Sequence, residues 1–174
     1  LARAGLSAAT AALSMGIGLE PDDDLSPTAA LAHHLAAVRE TAEETGIEIA
    51  AAHLVSMSRW VTPPSMARRF DARFFATFVP PGTDVLAGSG EVAEALWLTP
   101  AAALAATAAG RLDLWQPTFV TLQQLDGLAD PAAIREAFAP GPARGGPVIE
   151  RIRPDLARVS AVWAGGIPGR RAVG

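Results

Sequence analysis

Residues 39–47 read Arg-Glu-Thr-Ala-Glu-Glu-Thr-Gly-Ile. Three carboxylates, Glu40, Glu43 and Glu44, crowd together directly after Arg39. On a helix Glu40 meets Glu44 at i,i+4 and Glu43 at i,i+3, and each exposed like-charge pair costs roughly 0.2–0.5 kcal/mol. A helix stopped by Gly46 would also set these anions at its negative end, at roughly 0.3–1 kcal/mol each. Arg39 offsets part of the repulsion. Two local stability rules are broken at one place, and such places are where function is expected. A hard divalent cation resolves the conflict, because it takes oxygen ligands from a few carboxylates together with substrate phosphates. The plainer alternative is a solvated acidic helix face.

The elements that must position these residues follow from local rules. Ser26 is a good N-cap and Pro27 a good first helical residue. The helix they start should run to about Thr45, with Gly46 as its stop. Its apolar stripe is Leu31, Leu35, Val38 and Ala42, with Glu40 opposite and Glu43 and Glu44 flanking. Residues 53–60 read as a strand, Pro63-Pro64 as a turn, and 69–78 as a second strand. Alternation puts Phe70, Phe74 and Phe78 on one face of that strand, as core, and Asp71, Arg73 and Phe75 on the other. Residues 91–98 are a third strand candidate, with Trp97 as packing. Thr99-Pro100 caps a helix that ends at Gly110. Residues 117–128 and 131–138 read as short helices, 139–147 as a Pro/Gly loop, and 148–163 as one or two edge strands. Helices and strands mix without a regular βαβ repeat, which indicates an α/β (α+β) sandwich.

Composition narrows the function classes. The chain has 174 residues and 50% hydrophobic residues, enough for one domain with a sizeable core. Every one of the 14 basic residues is Arg, against 18 acidic residues, for a net charge of −4. That balance disfavours nucleic acid as a partner. No apolar run is long enough to span a bilayer. Cysteine is absent, which removes disulfides and thiolate metal sites. His33 and His34 have no partner at metal spacing and read as ordinary helix residues.

The segment RExxEExGU, here Arg39 to Ile47, resembles the C-terminal half of the Nudix box. At ordinary residue frequencies its five fixed positions match by chance on the order of once per million start points, which favours the motif over a solvated face. The resemblance implies an α/β/α sandwich with a mixed sheet. It also implies a hydrolase of nucleoside diphosphates linked to another moiety, using Mg²⁺ or Mn²⁺ and a water nucleophile. Glu40, Glu43 and Glu44 would be metal ligands, with Glu40 and Glu43 at the catalytic centre. Arg39 would orient the carboxylates, and Gly46 would make the tight turn. The full box is G-x5-E-x7-REUxEExGU. Strict spacing puts Leu25 where its Gly belongs, Leu31 where its first Glu belongs, and Thr41 at the aliphatic position. A longer loop restores a partial match, because Met15 to Asp22 is similar to a PGGxVxPxD segment. Glu20 or one of Asp22, Asp23 and Asp24 would then lie near the metal.

Downstream, Trp60-Val61-Thr62-Pro63 and Arg68-Arg69-Phe70-Asp71-Ala72-Arg73-Phe74-Phe75 resemble a WxTP…RRFDTxFF signature. That signature belongs to the Nudix branch of the peroxisomal coenzyme A diphosphatase and its bacterial relatives. Glu91 and Trp97 have the E-x5-W relation in which the Glu is a distal metal carboxylate. Arg68, Arg69 and Arg73 are candidates for substrate phosphates, with surface ion pairs as the plainer reading.

These resemblances imply a small-molecule nucleotide substrate, with coenzyme A or a related nucleotide as the candidate, no nucleic acid and no membrane. Cytoplasm is the default compartment, and a homodimer stays open. The Nudix-like domain is expected over residues 20–138. Residues 1–19 read as an Ala-rich helical segment with a truncated start, and residues 139–174 as an extension or linker. Because 1–19 lacks strand alternation, the sheet is expected to lack its first strand or strands. The alternative function is a catalytically weak Nudix-fold binding module, or a fragment of a larger multidomain hydrolase.

Overall fold

The computed structural model describes residues 5–17, 25–62, 64, 70–85, 95–128, 130–139, 148–151 and 158–159. In chain order the elements are α1 (Ala8–Ser14), α2 (Pro27–Thr45), a 3₁₀ turn (Ala51–His53), β1 (Val55–Val61), β2 (Asp71–Ala76) and α3 (Pro100–Ala108). Then follow β3 (Leu114–Trp115), α4 (Gln116–Leu125), α5 (Pro131–Ala137), β4 (Val148–Arg151) and β5 (Arg158–Val159). The mixture of helices and small sheets is the α+β class expected of an α/β/α sandwich. Among the described residues no strand precedes α2.

The chain forms two compact units. The first comprises Leu1–Arg59, Ala72–Leu96 and Ala129–Ile149. Here β1 lies between β2 and β4. Helix α2 starts as its sequence dictates: the Ser26 hydroxyl accepts from the Ala29 N–H at 3.2 Å, and Pro27 fills the first turn. It ends at Gly46, whose φ of 71° is left-handed and whose N–H donates to the Ala42 carbonyl. An Ala there would meet the steric cost of that region, about 1 kcal/mol. Helix α1 packs on α2 through Ala11, Met15, Ala30 and Leu31, all buried, with Phe75 of β2 partly buried against them.

The second unit comprises Trp60–Asp71, Trp97–Leu128 and Glu150–Gly174. Helices α3 and α4 pack together there, and Ala103 of α3 and Phe119 and Val120 of α4 are buried. Strand β3 pairs antiparallel with β5, Leu114 opposite Val159. The Thr62 N–H donates to the Phe70 carbonyl at 2.9 Å, and the Phe70 N–H donates to the Thr62 hydroxyl at 3.0 Å.

Four expectations are corrected. Residues 95–98 have no regular secondary structure, so the third strand candidate is not formed there; residues 91–94 lie outside the described residues. Trp97 is 66% exposed rather than packed, because the irregular stretch before the α3 cap sets no alternation for it. Phe70 is 55% exposed, since it precedes β2; Phe74 and Phe78 are half-buried rather than core, as are Arg73 and Phe75 on the other parity. The buried face of α2 is Ala30, Leu31 and His34, whereas Leu35 is exposed. The helix is rotated toward its small residues because α1 packs close against Ala30.

Candidate active site

The last three turns of α2 carry the acidic cluster. Two threonine hydroxyls stitch this end of the helix. Thr41 Oγ1 donates to the Ala37 carbonyl at 2.8 Å, and Thr45 Oγ1 donates to the Thr41 carbonyl at 2.6 Å. The Thr45 hydroxyl also accepts from the Ile47 N–H at 3.2 Å, tying the exit chain to the helix. The polar residue at the aliphatic position of the box, Thr41, is therefore spent on the backbone of its own helix.

Arg39 donates to two of the three carboxylates. Its Nη1 reaches Glu43 Oε2 at 2.5 Å and its Nη2 reaches Glu40 Oε1 at 3.0 Å. All three side chains are 58% exposed. Pairs this wet contribute roughly 0.2–1 kcal/mol each, so their effect is to orient the carboxylates more than to hold the fold.

Beside this helix end lies a cavity of about 530 Å³ within the first unit. Helix α2 lines it with Ala37, Glu40, Thr41 and Glu44, one turn apart in the manner of i,i+3 and i,i+4 neighbours. Strand β2 and its exit line the other side with Arg73, Phe74, Phe75 and Thr77, and Ile49 and Leu54 close it with aliphatic surface. The strand runs along the cavity, so Arg73, Phe74, Phe75 and Thr77 bring a cation and two aromatic rings to the same space. Glu40, Glu44 and Arg73 thus share a concave, partly apolar space of the kind that seats small ligands. Glu43 does not line it; it is held by Arg39. Glu91, Arg68 and Arg69 lie outside the described residues, as do Glu20 and Asp22 to Asp24.

The donor set can be tested against a divalent cation. Among the described residues no three His, Cys, Asp or Glu side chains gather in a way that could hold a metal. Two hard carboxylates, Glu40 and Glu44, do line one cavity. That fits a cation such as Mg²⁺, which keeps waters and takes one or two carboxylates plus phosphate oxygens instead of a complete protein cage.

One residue of this neighbourhood was missed by sequence reasoning. His34 is fully buried, bonds Ser14 and the Ala30 carbonyl, and packs its ring on Phe75, itself a cavity residue. Burial holds its pKa below the ordinary 6.5; the bond to Ala30 opposes this shift and the neighbouring His33 adds to it. Its burial and its partners Ser14 and Phe75 come from elements distant in sequence, so no local signal could have found it.

A family model described as NUDIX domain matches residues 32–121 of the 174. The match begins inside α2, before the acidic cluster, and runs to α4. No curated protein and no solved structure matches the chain.

Proposed function

The chain belongs to the NUDIX family, and from that premise we propose a metal-dependent hydrolase of a nucleoside diphosphate linked to a second moiety. The observation that carries this reading is the cavity in which Glu40 and Glu44 share space with Arg73. Anionic phosphates need a cation, and the guanidinium of Arg73 suits them by its fork of donors. The two carboxylates suit Mg²⁺ or Mn²⁺, which when bound would neutralise developing phosphate charge and lower the pKa of a water nucleophile. In this reading Glu40 and Glu44 hold the cation, and Arg39 keeps Glu40 and Glu43 turned to one side of the helix. Glu43 is the reserve carboxylate, released to ligand or base duty when substrate displaces it from Arg39. Glu91, Arg68 and Arg69 would complete the metal and phosphate sets, as their place in the downstream motif suggests. Coenzyme A or a related nucleotide is the proposed substrate, on the WxTP and RRFDxxFF resemblance. The apolar part of the cavity, Ile49, Leu54 and the Phe rings, accommodates the portion of such a substrate that carries no charge.

A second reading has its own observation. Leu31, at the strict-spacing position of the first box Glu, is 7% exposed in the core between α1 and α2. No carboxylate can stand there, which favours a catalytically weak module that binds a nucleotide without turning it over.

The deciding experiment offers coenzyme A, ADP-ribose and NADH in turn, with Mg²⁺, Mn²⁺ or EDTA, to the wild type and to Glu44→Gln. Metal-dependent phosphate-ester release that is lost in the variant establishes the hydrolase. Binding of a nucleotide with no turnover establishes the second reading instead.

A further inference from the structure

Helices α1 and α2 meet at a polar contact beside the buried apolar cluster of Ala11, Met15, Ala30 and Leu31. His34 is fully buried there. Its Nδ1 lies 2.9 Å from the Ala30 carbonyl oxygen and its Nε2 lies 3.1 Å from Ser14 Oγ. A carbonyl only accepts, so Nδ1 must carry a proton and donate. Ser14 has one hydroxyl proton and two acceptors in reach, Nε2 and the Ala11 carbonyl at 2.9 Å. With the ring neutral, Ser14 donates to Nε2. With the ring protonated, Nε2 donates to Ser14 Oγ and the hydroxyl turns to Ala11. The imidazole is hydrogen-bonded through both nitrogens either way, as buried polar groups require.

The ring has a second contact. Its centroid is 4.7 Å from that of Phe75, with the planes tilted by 54°. Phe75 also packs against the α1–α2 core and lines the cavity that carries Glu40, Glu44 and Arg73. One aromatic residue therefore has the cavity on one side and His34 on the other.

We propose that His34 is a positioning residue, which fixes Phe75 as a wall of the substrate cavity and ties that wall to α1 through Ser14. This rests on the cavity being the diphosphate site. His34 lies six residues before Glu40, about 9 Å along the helix axis, so it acts on the seat of the substrate and not on the carboxylates. Phe75 carries no charge, so its displacement weakens the seating of an uncharged part of the substrate. Of the charged and titratable groups on the elements around His34, helix α1 has none, α2 carries the adjacent His33 and, farther along, Arg39, Glu40, Glu43 and Glu44, and β2 carries Asp71 and Arg73. Burial and His33 both favour the neutral ring, and hence the state in which Ser14 donates to it.

The test uses the whole chain with Ser14→Ala, His34→Asn and Phe75→Leu. The measurements are imidazole NMR, amide exchange in α1, the Phe75 ring shifts, and kcat and KM on the best diphosphate substrate. In the wild type the neutral ring should show the proton on Nδ1. Ser14→Ala should speed exchange of the α1 amides about five- to tenfold, as a loosened local unit does. It should also move the Phe75 ring shifts and raise KM about three- to tenfold with kcat within twofold, the mark of lost binding with intact chemistry. Phe75→Leu should raise KM similarly and disturb α1 exchange less than Ser14→Ala does. Should His34→Asn not fold, these two variants carry the test. A proton on Nε2, or Ser14→Ala with both α1 exchange and Phe75 shifts unchanged, overturns the proposal. So does a variant in which kcat falls while KM holds. A wild type that hydrolyses no diphosphate removes the proposed function instead. The exchange and ring-shift measurements then still decide whether His34 positions Phe75.

Discussion

The two halves of α2 solve opposite problems. Its first half, from Ser26 to His34, is capped by a side chain, starts on a proline, and holds every buried residue of the helix: Ala30, Leu31 and His34. Its second half, from Arg39 to Gly46, buries none and concentrates three carboxylates at the end where the helix dipole repels them. Neither half would make a good helix alone, since isolated segments this short are marginal and gain most of their stability from packing. The contact with α1 and β2 anchors the first half, and the helix carries that order into the second. The helix divides its labour along one rod: burial at one end holds, at the other, a charge cluster that is poor for stability.

The sharpest way to break this comparison is to neutralise the acidic end. Glu44→Gln should lower metal-dependent hydrolysis by about 10²–10³-fold, the scale of losing one preorganised electrostatic partner. Thermal unfolding of the same variant should show stability unchanged or raised by about 0.3–1 kcal/mol, because an unfavourable charge leaves the helix C-terminus. A variant that loses stability as well would show that the two halves are not separable. At the other end Leu31→Ala should cost about 2–5 kcal/mol in chemical denaturation, as core truncations do. Leu31→Glu, which restores the box by strict spacing, should do worse, because it buries an unpaired charge. A folded Leu31→Glu with higher activity would overturn the placement of that position in the core.

How much of this was legible beforehand follows the same division. The caps were readable because Ser26, Pro27 and Gly46 act through local backbone geometry. The nearness of Glu40 to Glu44 was readable from helix periodicity, but their turning toward a cavity was not, since that depends on which face of β2 lies opposite. Alternation extended past the start of β2 gave Phe70 a core role that it lacks, and within β2 residues of both parities are half-buried. The stripe expected on α2 was Leu31, Leu35, Val38 and Ala42, because large apolar residues dominate a hydrophobic pattern, but of these only Leu31 is buried. The helix buries Ala30 and His34 beside it, small or polar residues whose burial depends on α1. A histidine satisfied by a serine in another helix leaves no trace in local sequence.

His34 gives the anchoring half a pH dependence. Its folded-state pKa lies below 6.5, mainly through burial. The unfolded chain therefore binds more protons than the folded chain between that depressed value and 6.5. Stability is then fully present above pH 6.5 and falls as pH drops through the window, with a slope of at most about 1.4 kcal/mol per pH unit from this group. Urea unfolding between pH 7.5 and 5 should show the loss, and His34→Asn should flatten it. An unchanged slope in the variant would assign the effect to other groups.

The smallest effect tests the last residue of the acidic half. Gly46 adopts φ 71° and returns its N–H to the Ala42 carbonyl, closing the helix one residue after Thr45 and two after Glu44. Gly46→Ala should cost about 1 kcal/mol, since an L side chain strains the left-handed region. Part of that cost is offset because alanine loses less unfolded-state freedom. Gly46→Asn should cost less, because asparagine visits this region more readily. Activity separates two causes. If the turn only ends the helix, both variants keep kcat/KM in proportion to their folded fraction. If it also sets where Glu44 stands against the cavity, Gly46→Ala should lose more activity than stability, and Gly46→Asn should restore it. The second result is the one expected, because the Thr45 hydroxyl binds both the helix and the Ile47 N–H beyond the turn. A change in φ at Gly46 must therefore pull on the same helical turn that carries Glu44.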